Sequence, residues 1–222
     1  MFVVQGRVLV EDAVAAGMEV REVYLRDGES VPDGIRVVPH VLDARTFDSV
    51  NDTVTPQGVL AVCAIPAESP VRTTPSDWYV VAHGISDPGN LGTMIRSAEA
   101  SGASGIIVTP GTVDVWAPKT VRSTAGGLFR VPVHHVASLG DLRDGGMRVL
   151  GSTSHDSAPS MYEVDFTGCL GIVLGNEAHG VADDEKLDGW VRVPHVGRAE
   201  SLNVAMAASV LALHIAHVRA GV

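Results

Sequence analysis

Short apolar runs alternate with amphipathic stretches in the second half of the sequence, and this alternation limits the fold more than any other feature. From residue 78 onward, the apolar runs predict strands at 78–85, 104–110, 130–136, 147–154, 169–175 and 190–195. Between them the pattern predicts helices at 90–101, 118–129, 138–144 and 183–188, followed by a long helix from Ser201. Such alternation indicates a mostly parallel sheet with helices on both faces. Ligands of these sheets bind beyond the carboxyl ends of the strands, so the loops that follow the strands are expected to carry the chemistry.

The first half of the chain has a different pattern. Apolar runs at 2–6, 20–25, 36–41 and 59–65 predict strands that alternate with small helices such as 8–17, which indicates a small α/β domain over residues 1–66. Three prolines and many hydroxyl side chains in PAESPVRTTPSD predict a linker at 67–77. Residues 78–222 then form the second domain.

Composition excludes several classes of protein. The 222 residues are 45% hydrophobic, which is enough to bury a core and excludes a disordered chain. No uncharged apolar run reaches the roughly 18 residues of a membrane helix, and Met1 is not followed by a signal-peptide pattern, so a cytoplasmic protein without a membrane partner is expected. Cys63 and Cys169 are predicted to be packing residues, and the nine scattered histidines predict no metal site.

The charge distribution matters more than the net charge of −10, which by itself argues against a nucleic-acid partner. Residues 1–76 hold six arginines and eleven acidic residues, a net charge of −5. The segment 87–132 holds four cations and three acidic residues and is locally +1. Its cations are the candidate RNA-binding residues Arg96, Lys119, Arg122 and Arg130.

The loop after the first strand of the second domain, DPGNLGTMIRSAEASG at 87–102, is the first candidate site. Gly89 permits a tight strand-to-helix turn, and Asn90 is a favoured N-cap residue. Leu91 and the residues in register with it form a stripe that faces the sheet, which leaves Arg96 on the outside of the helix. The alternative to a binding site is a Gly-rich turn followed by a solvated arginine. A dinucleotide-binding fingerprint does not fit this loop, because the glycine spacing is not GxGxxG.

Two later loops place further polar residues beside apolar strands. In IVLGNEAHGV at 172–181 the strand ends in Gly175, Asn176 and Glu177, and the alternative role of the glutamate is to cap a neighbouring helix. In VPHVGRAESLNVAMAASVLALHIAHV at 193–218 Ser201 can cap the last helix, with Asn203 in its first turn. This helix is apolar on two stripes, so one can cover the sheet and the other needs a partner.

Taken together, these motifs resemble those of a known enzyme family. The pattern N-x5-R after DPG, then P-K-x-x-R-x-x-x-G-x-x-F-R-x-P at 118–132, then LGNE and P-x-x-G-x-x-x-S-L-N, is similar to the signature of the SpoU (TrmH-type) 2′-O-ribose RNA methyltransferases of the SPOUT superfamily. The first half resembles an L30e-like RNA-binding domain, through FVVQG and TPQGVLAV. A basic helix that usually precedes FVVQG is missing, so either a truncated start or an incomplete RNA-docking domain is expected.

The resemblance implies a trefoil-knotted α/β domain, S-adenosylmethionine bound in the knot, and a homodimer whose active sites combine both subunits. It assigns catalytic roles to Asn90, Arg96, Glu177, Ser201 and Asn203. The residues it assigns to cofactor binding are Thr153, Ser154, Leu174, Gly175, Asn176, Val193, Pro194, Ser201, Leu202 and Asn203. The sequence departs from the family at Ala178, where glycine is usual, and at His195, where an apolar residue is expected.

The predicted function is methylation of a ribose 2′-hydroxyl by S-adenosylmethionine, in ribosomal RNA rather than transfer RNA. An arginine is a poor proton acceptor, so Arg96 is predicted to act as an electrostatic clamp rather than as a general base. The alternatives are a transfer RNA 2′-O-ribose methyltransferase and a non-catalytic RNA-binding protein of the same fold.

Overall fold

The computed structural model describes residues 1–51, 57–182 and 186–221, and its first half is built on a four-stranded sheet. The strands are β1 Phe2–Gln5, β2 Val20–Arg26, β3 His40–Leu42 and β4 Val59–Cys63, in the order β1-β4-β2-β3. β1 and β2 are antiparallel to β4, and β3 is parallel to β2. The helices are α1 Arg7–Ala15 and α2 Ala44–Ser49. The strand predicted at 36–41 is shorter and begins only at His40, because Pro39 has no N–H to donate to a neighbouring strand.

The second half contains a parallel sheet of six strands, which confirms the predicted fold class. The strands are β5 Trp78–Ala82, β6 Gly105–Val108, β7 Val133–His135, β8 Arg148–Thr153, β9 Leu170–Leu174 and β10 Gly189–Arg192, in the order β10-β8-β9-β5-β6-β7. The helices are α3 Pro88–Ala100, α4 Pro118–Ser123, α5 Leu139–Asp144 and α6 Val204–Ala220. Among the described residues, no helix is both long and apolar enough to cross a membrane.

The central strands β5 and β9 are buried along their whole length. Their side chains alternate between two apolar clusters, one on each face of the sheet: Val80 and Ile172 belong to one cluster, Val81 and Val173 to the other. Burying such a side chain contributes about 1.5–3 kcal/mol. These two buried strands therefore hold the first residues of the loops at their carboxyl ends in fixed positions.

The helix predicted at 118–129 is interrupted. α4 ends at Ser123, because Ala125 and Gly126 have positive φ angles of 48° and 85°, and a short 3₁₀ turn follows at Gly127–Phe129. A Cβ atom at Gly126 would lie 2.1 Å from Oδ2 of Asp12, so the chain turns here directly against the first half. The helix predicted at 183–188 falls on residues 183–185, which lie outside the described residues, and Lys186–Asp188 are not helical.

The two halves share one apolar core. The ring of Phe2 lies 4.7 Å from that of Trp116 and 6.3 Å from that of Phe129, measured between ring centroids. The segment predicted to be a linker also makes specific contacts, since Ser69 O lies 2.8 Å from Nδ1 of His134 and the Glu68 carboxylate accepts from the backbone N–H of His135. The segment between the two halves is thereby held against the edge strand β7.

Candidate active site

The three loops that carry the sequence motifs meet at one edge of the six-stranded sheet. β5 and β9 are parallel neighbours, so the segments that follow them, 83–90 and 175–181, leave the sheet side by side. The segment after β8 leaves the same edge, because β8 is the other neighbour of β9. The start of α6 completes the cluster. The sheet order thus brings together residues that are about ninety to one hundred and ten positions apart in sequence.

A chain of hydrogen bonds joins the three motifs, and it is called the motif relay below. Asn203 Nδ2 donates to Asn90 Oδ1 at 3.1 Å, and Asn90 Nδ2 donates to Glu177 Oε1 at 3.0 Å. The other oxygen of Glu177 accepts from the backbone N–H of Ser86 at 3.2 Å and from its hydroxyl at 2.9 Å. The backbone N–H of Asp87 also donates to Oε1, at 3.2 Å. One carboxylate therefore fixes the loop after β5 to the loop after β9.

The direction of the relay follows from the chemistry of its ends. A carboxylate only accepts, so Asn90 must turn its NH₂ group toward Glu177 and its carbonyl oxygen toward Asn203. Asn203 must then present its NH₂ group, which leaves its Oδ1 free to accept from the backbone N–H groups of Ala205 at 3.0 Å and Met206 at 3.2 Å. The side-chain amide orientations are thus determined at both ends, by a carboxylate and by a helix N-terminus.

The pKa of Glu177 is lowered from 4.5 to about 2. Partial burial opposes this change, but it is outweighed by the hydrogen bonds from the side chain of Asn90, from the backbone and from the side chain of Ser86. The carboxylate is therefore charged at neutral pH, and its lone pairs are directed at four donors. Such a group is a weak base, and its hydrogen bonds hold the loops after β5 and β9 together.

The helix caps differ from the predicted ones. α3 is capped by Asp87, whose Oδ1 accepts from the backbone N–H of Asn90 at 2.8 Å, so Asn90 as the N-cap was wrong. α6 is capped by Asn203 and begins at Val204, so Ser201 as the N-cap was also wrong; it lies in the exposed loop before the helix. The side chain of Asn90 takes part in the motif relay and caps no helix, whereas the side chain of Asn203 takes part in the relay and also caps α6.

The loop after β9 is compact because Gly175 has no side chain. A Cβ atom there would lie 2.2 Å from the carbonyl carbon of Gly180 and 2.4 Å from the backbone nitrogen of Val181. Asn176 stabilises the same loop: its Nδ2 donates to Gly84 O at 2.8 Å, and its Oδ1 accepts from the backbone N–H of Ala178 at 2.9 Å. Ala178, where glycine was expected, is exposed.

A cavity of about 500 Å³ opens between these loops. Nine of the ten predicted cofactor-binding residues line it, namely Thr153, Ser154, Leu174, Gly175, Asn176, Val193, Ser201, Leu202 and Asn203. Pro194 is the exception, and it lies beside the lining residues Val193 and His195. Lining residues that sequence reasoning missed include Ser152, His155, Val181, Trp190 and Ala207. Of these, Ser152 and His155 adjoin a predicted loop, Val181 and Ala207 lie within the segments 172–181 and 193–218, and only Trp190 lies outside all of these segments.

The candidate RNA-binding residues fall into two groups. Arg96 is exposed on α3, as predicted, and it forms no hydrogen bond or ion pair with the residues that the structure describes. Lys119 is also exposed, with its Nζ 3.9 Å from Oδ2 of Asp87. Arg122 and Arg130 instead contact the first half: Arg122 donates to the side chain of Gln5, and Arg130 pairs with both Asp12 and Glu99.

Comparison with known proteins now identifies the family. Residues 77–213 match the model of the SpoU rRNA Methylase family. The chain belongs to this family. The matched range begins at Asp77, next to β5, and ends within α6, so it includes all three motif loops and the cavity. The resemblance inferred from the sequence is therefore confirmed for the second half of the chain.

Relatives within the SpoU family extend over nearly the whole chain. The chain is 34% identical to the 23S rRNA (guanosine(2553)-2′-O)-methyltransferase RlmP of Bacillus subtilis over 221 residues, which cover 96% of this chain and 88% of the relative. It is 31% identical to the 23S rRNA (guanosine-2′-O-)-methyltransferase RlmB of Xanthomonas axonopodis, with 95% of each covered. The crystal structure of the SpoU methyltransferase AviRb from Streptomyces viridochromogenes in complex with AdoMet matches with a TM-score of 0.85 and 29% identity, over 99% of this chain and 90% of that one.

Proposed function

We propose that this SpoU-family protein transfers a methyl group from S-adenosylmethionine to a ribose 2′-hydroxyl of ribosomal RNA. The observation that carries the proposal is the cavity of about 500 Å³ at the carboxyl ends of β8 and β9, which is lined by the loop after β8, the loop after β9 and the start of α6. The first motif loop is joined to this lining by the hydrogen bonds of Asn90 with Glu177 and Asn203. The relatives whose names specify 23S rRNA support RNA of this kind as the substrate. A transfer RNA substrate is the alternative outcome of the test described below.

The residues present fit the cofactor. The cavity volume falls in the range of roughly 300–1,000 Å³ that is typical of small-molecule sites. Its lining combines hydroxyl side chains such as Thr153 and Ser201 with apolar ones such as Leu174 and Leu202, as an adenosine joined to a charged amino-acid part requires. Glycine at position 175 lets the backbone of the loop fold tightly at the cavity wall, where any Cβ atom would collide with Gly180.

When bound, the cofactor supplies a methyl group on a positively charged sulfur, which an oxygen nucleophile can take without a metal. What the protein must add is alignment of that oxygen and stabilisation of its developing negative charge. Arg96 is suited to the second task because its guanidinium is exposed and unpaired among the described residues. Glu177 is unsuited to accept the proton, since its pKa is about 2, and we assign it a positioning role. Asn90 and Asn203 act with it, by holding the loops in register.

Arg96 and Lys119 are proposed to face the RNA, because both side chains are exposed and Lys119 lies beside Asp87 in the first motif loop. Arg122 and Arg130 are proposed to act less directly, by attaching the first half to the second. The acidic character of residues 1–76 makes the first half a poor general binder of phosphates. If it has the L30e-like role that its sequence suggests, we expect it to recognise shape or bases rather than charge.

A homodimer is part of the proposal. α6 exposes Met206, Val210 and Leu213, with 59%, 39% and 55% of their surface accessible, on the stripe that sequence reasoning left without a partner. Soluble monomers seldom leave such a stripe open. Arg96 does not line the cavity of its own chain, and α3, which carries it, packs on α6 through Ser97 and Ser209, whose hydroxyl oxygens are 2.7 Å apart. A second copy seated on α6 would therefore lie next to Arg96. The trefoil knot is proposed on the likeness to SpoU structures.

The test is to incubate the purified protein with radiolabelled S-adenosylmethionine and separate pools of ribosomal and transfer RNA. Label in ribosomal RNA is expected, at a position where the backbone resists alkaline cleavage because the 2′-oxygen is blocked. An Arg96→Ala variant serves as the negative control. Label in transfer RNA would establish the alternative substrate, and binding of either RNA without label would indicate a non-catalytic RNA-binding protein.

A further inference from the structure

Trp190 lines the cavity proposed for the cofactor, although it belongs to none of the three sequence motifs. It lies in β10, the edge strand of the six-stranded sheet, and is half-buried. Of the described residues that line the cavity, it has the largest side chain. Its ring packs against the apolar cluster on one face of the sheet and also borders the cavity.

The position of the indole is limited by the residue opposite Trp190 on the neighbouring strand β8. Trp190 pairs with Gly151 of β8, and a Cβ atom at Gly151 would lie 2.6 Å from Cζ3 and 2.7 Å from Cε3 of the indole. The ring therefore lies across β8 in the space that a side chain at position 151 would fill. Leu187 Cδ1 lies 2.7 Å from the same point and confines the ring from a second direction.

The face of the sheet that carries the indole also carries a predicted cofactor residue. Side chains alternate along a strand, so Thr153 points to the same face as Gly151, and Thr153 lines the cavity. Val181, 8% exposed, lines it as well. Trp190 and Val181 thus form an apolar part of the lining on the side of β10, and Trp190 supplies its aromatic ring.

We infer that Trp190 is a cofactor-contacting residue whose indole forms the surface on which the adenine base of S-adenosylmethionine packs. The inference rests on the proposed function, because it assumes that this cavity holds that cofactor. A flat purine gains most from a flat apolar surface, and tryptophan offers a large one at little conformational cost. The remainder of the cofactor, which is polar, matches the remainder of the lining.

The experiment is a titration of the protein with S-adenosylmethionine, followed by tryptophan fluorescence and, in parallel, by calorimetry. The wild-type fluorescence is expected to change on binding, and Trp190→Phe is expected to lose that change while it binds within about threefold of wild type. Trp116→Phe is the matched control, because Trp116 lies at the junction of the two halves and should leave the change intact. Trp190→Ala is expected to raise the Kd at least about tenfold.

Gly151→Ala provides an independent variant, because the added methyl group displaces the indole without removing it. It is expected to raise the Kd in the same direction as Trp190→Ala. If Trp190→Ala fails to fold, as judged by circular dichroism, the inference is tested by the fluorescence of Trp190→Phe alone. A fluorescence change that survives in Trp190→Phe, or a Kd for Trp190→Ala within twofold of wild type, would overturn the inference and leave the proposed function standing. Absence of calorimetric binding by the wild type would instead refute the cofactor assignment itself.

Discussion

Substitution of Glu177 by glutamine tests whether the motif relay holds the site together. In the wild type the carboxylate accepts from four donors on the loop after β5: two backbone N–H groups, the Ser86 hydroxyl and the Asn90 amide. Glutamine keeps the shape but has one accepting oxygen, and its NH₂ group must face two of those donors. The variant therefore replaces favourable contacts by unsatisfied or repulsive ones.

The magnitude follows from the pKa of Glu177, about 2 in the folded protein against an ordinary 4.5. A difference of that size corresponds to roughly 3 kcal/mol if the interaction is fully felt. Glu177 is an exposed residue, so solvent screening reduces the expected contribution to about 1–2 kcal/mol. We expect Glu177→Gln to lower the free energy of unfolding by this amount at pH 7.

The pH dependence has a definite sign. Because the folded-state pKa of Glu177 is lowered, its stabilising effect is fully present above about pH 4.5 and is lost as the pH falls toward about 2. The stability difference between wild type and Glu177→Gln is thus expected to shrink over that interval. Urea unfolding followed by circular dichroism, at pH 7 and at several values below 4.5 where the wild type is still folded, measures it.

Glu200→Gln is the matched control, since Glu200 is exposed and forms no hydrogen bond with the residues that the structure describes. Its stability difference from wild type should be small at every pH. The reasoning fails if Glu177→Gln is as stable as wild type at pH 7, or if its deficit stays constant down to the lowest pH. Either result would mean that the carboxylate is not held by these donors in solution.

Four further outcomes are expected. Arg96→Ala should abolish methyl transfer while calorimetry still shows S-adenosylmethionine binding within about threefold, and a parallel loss of both would contradict the RNA-facing role. Asn203→Ala should bind the cofactor at least about tenfold more weakly, and its free energy of unfolding should fall by about 1 kcal/mol because the cap of α6 is removed. Asn203→Asp should keep the cap and lose only the hydrogen bond that Asn203 donates to Asn90. Leu213→Lys should lower the sedimentation mass and the activity together; an unchanged mass would refute the α6 interface. Mixed Arg96→Ala and Asn203→Ala subunits should regain activity if the site is shared, and continued inactivity after verified exchange would count against sharing.

Much of this architecture was predictable because local pattern and tertiary structure agree in the second half. The runs WYVVA and LGIVL contain no charged residue, so both faces of each strand must be covered by other parts of the chain. This requirement is typical of a central strand in a parallel sheet. Arg96 was placed outside α3 by helical spacing alone. The cavity residues came from the family motifs rather than from periodicity, which does not show which loops meet.

The errors have local physical causes. Asp87 and Asn90 are both good N-cap residues, and proline at the first helical position decides for Asp87, since Pro88 needs no N–H partner. Asn203 caps α6 in place of Ser201, since its Oδ1 accepts from the backbone N–H groups of Ala205 and Met206 while its Nδ2 donates to Asn90. Trp190 was missed because its role depends on Gly151, a residue on another strand about forty positions earlier in the sequence.

The position of Asn203 also bears on why a second copy of the chain should matter for catalysis. Asn203 is at once a cavity residue, the end of the motif relay and the cap of α6, so the exposed stripe begins at the site itself. At 1.5 Å of rise per residue, Met206 lies about 5 Å and Leu213 about 15 Å from Asn203 along the helix axis. A partner packed on that stripe would thus begin about one helical turn, roughly 5 Å, from Asn203, a distance that a long side chain such as that of Arg96 can span. Dimer formation on α6 would then complete the proposed active site instead of merely covering apolar surface, because the helix proposed to bind the partner starts at a residue that lines the cavity.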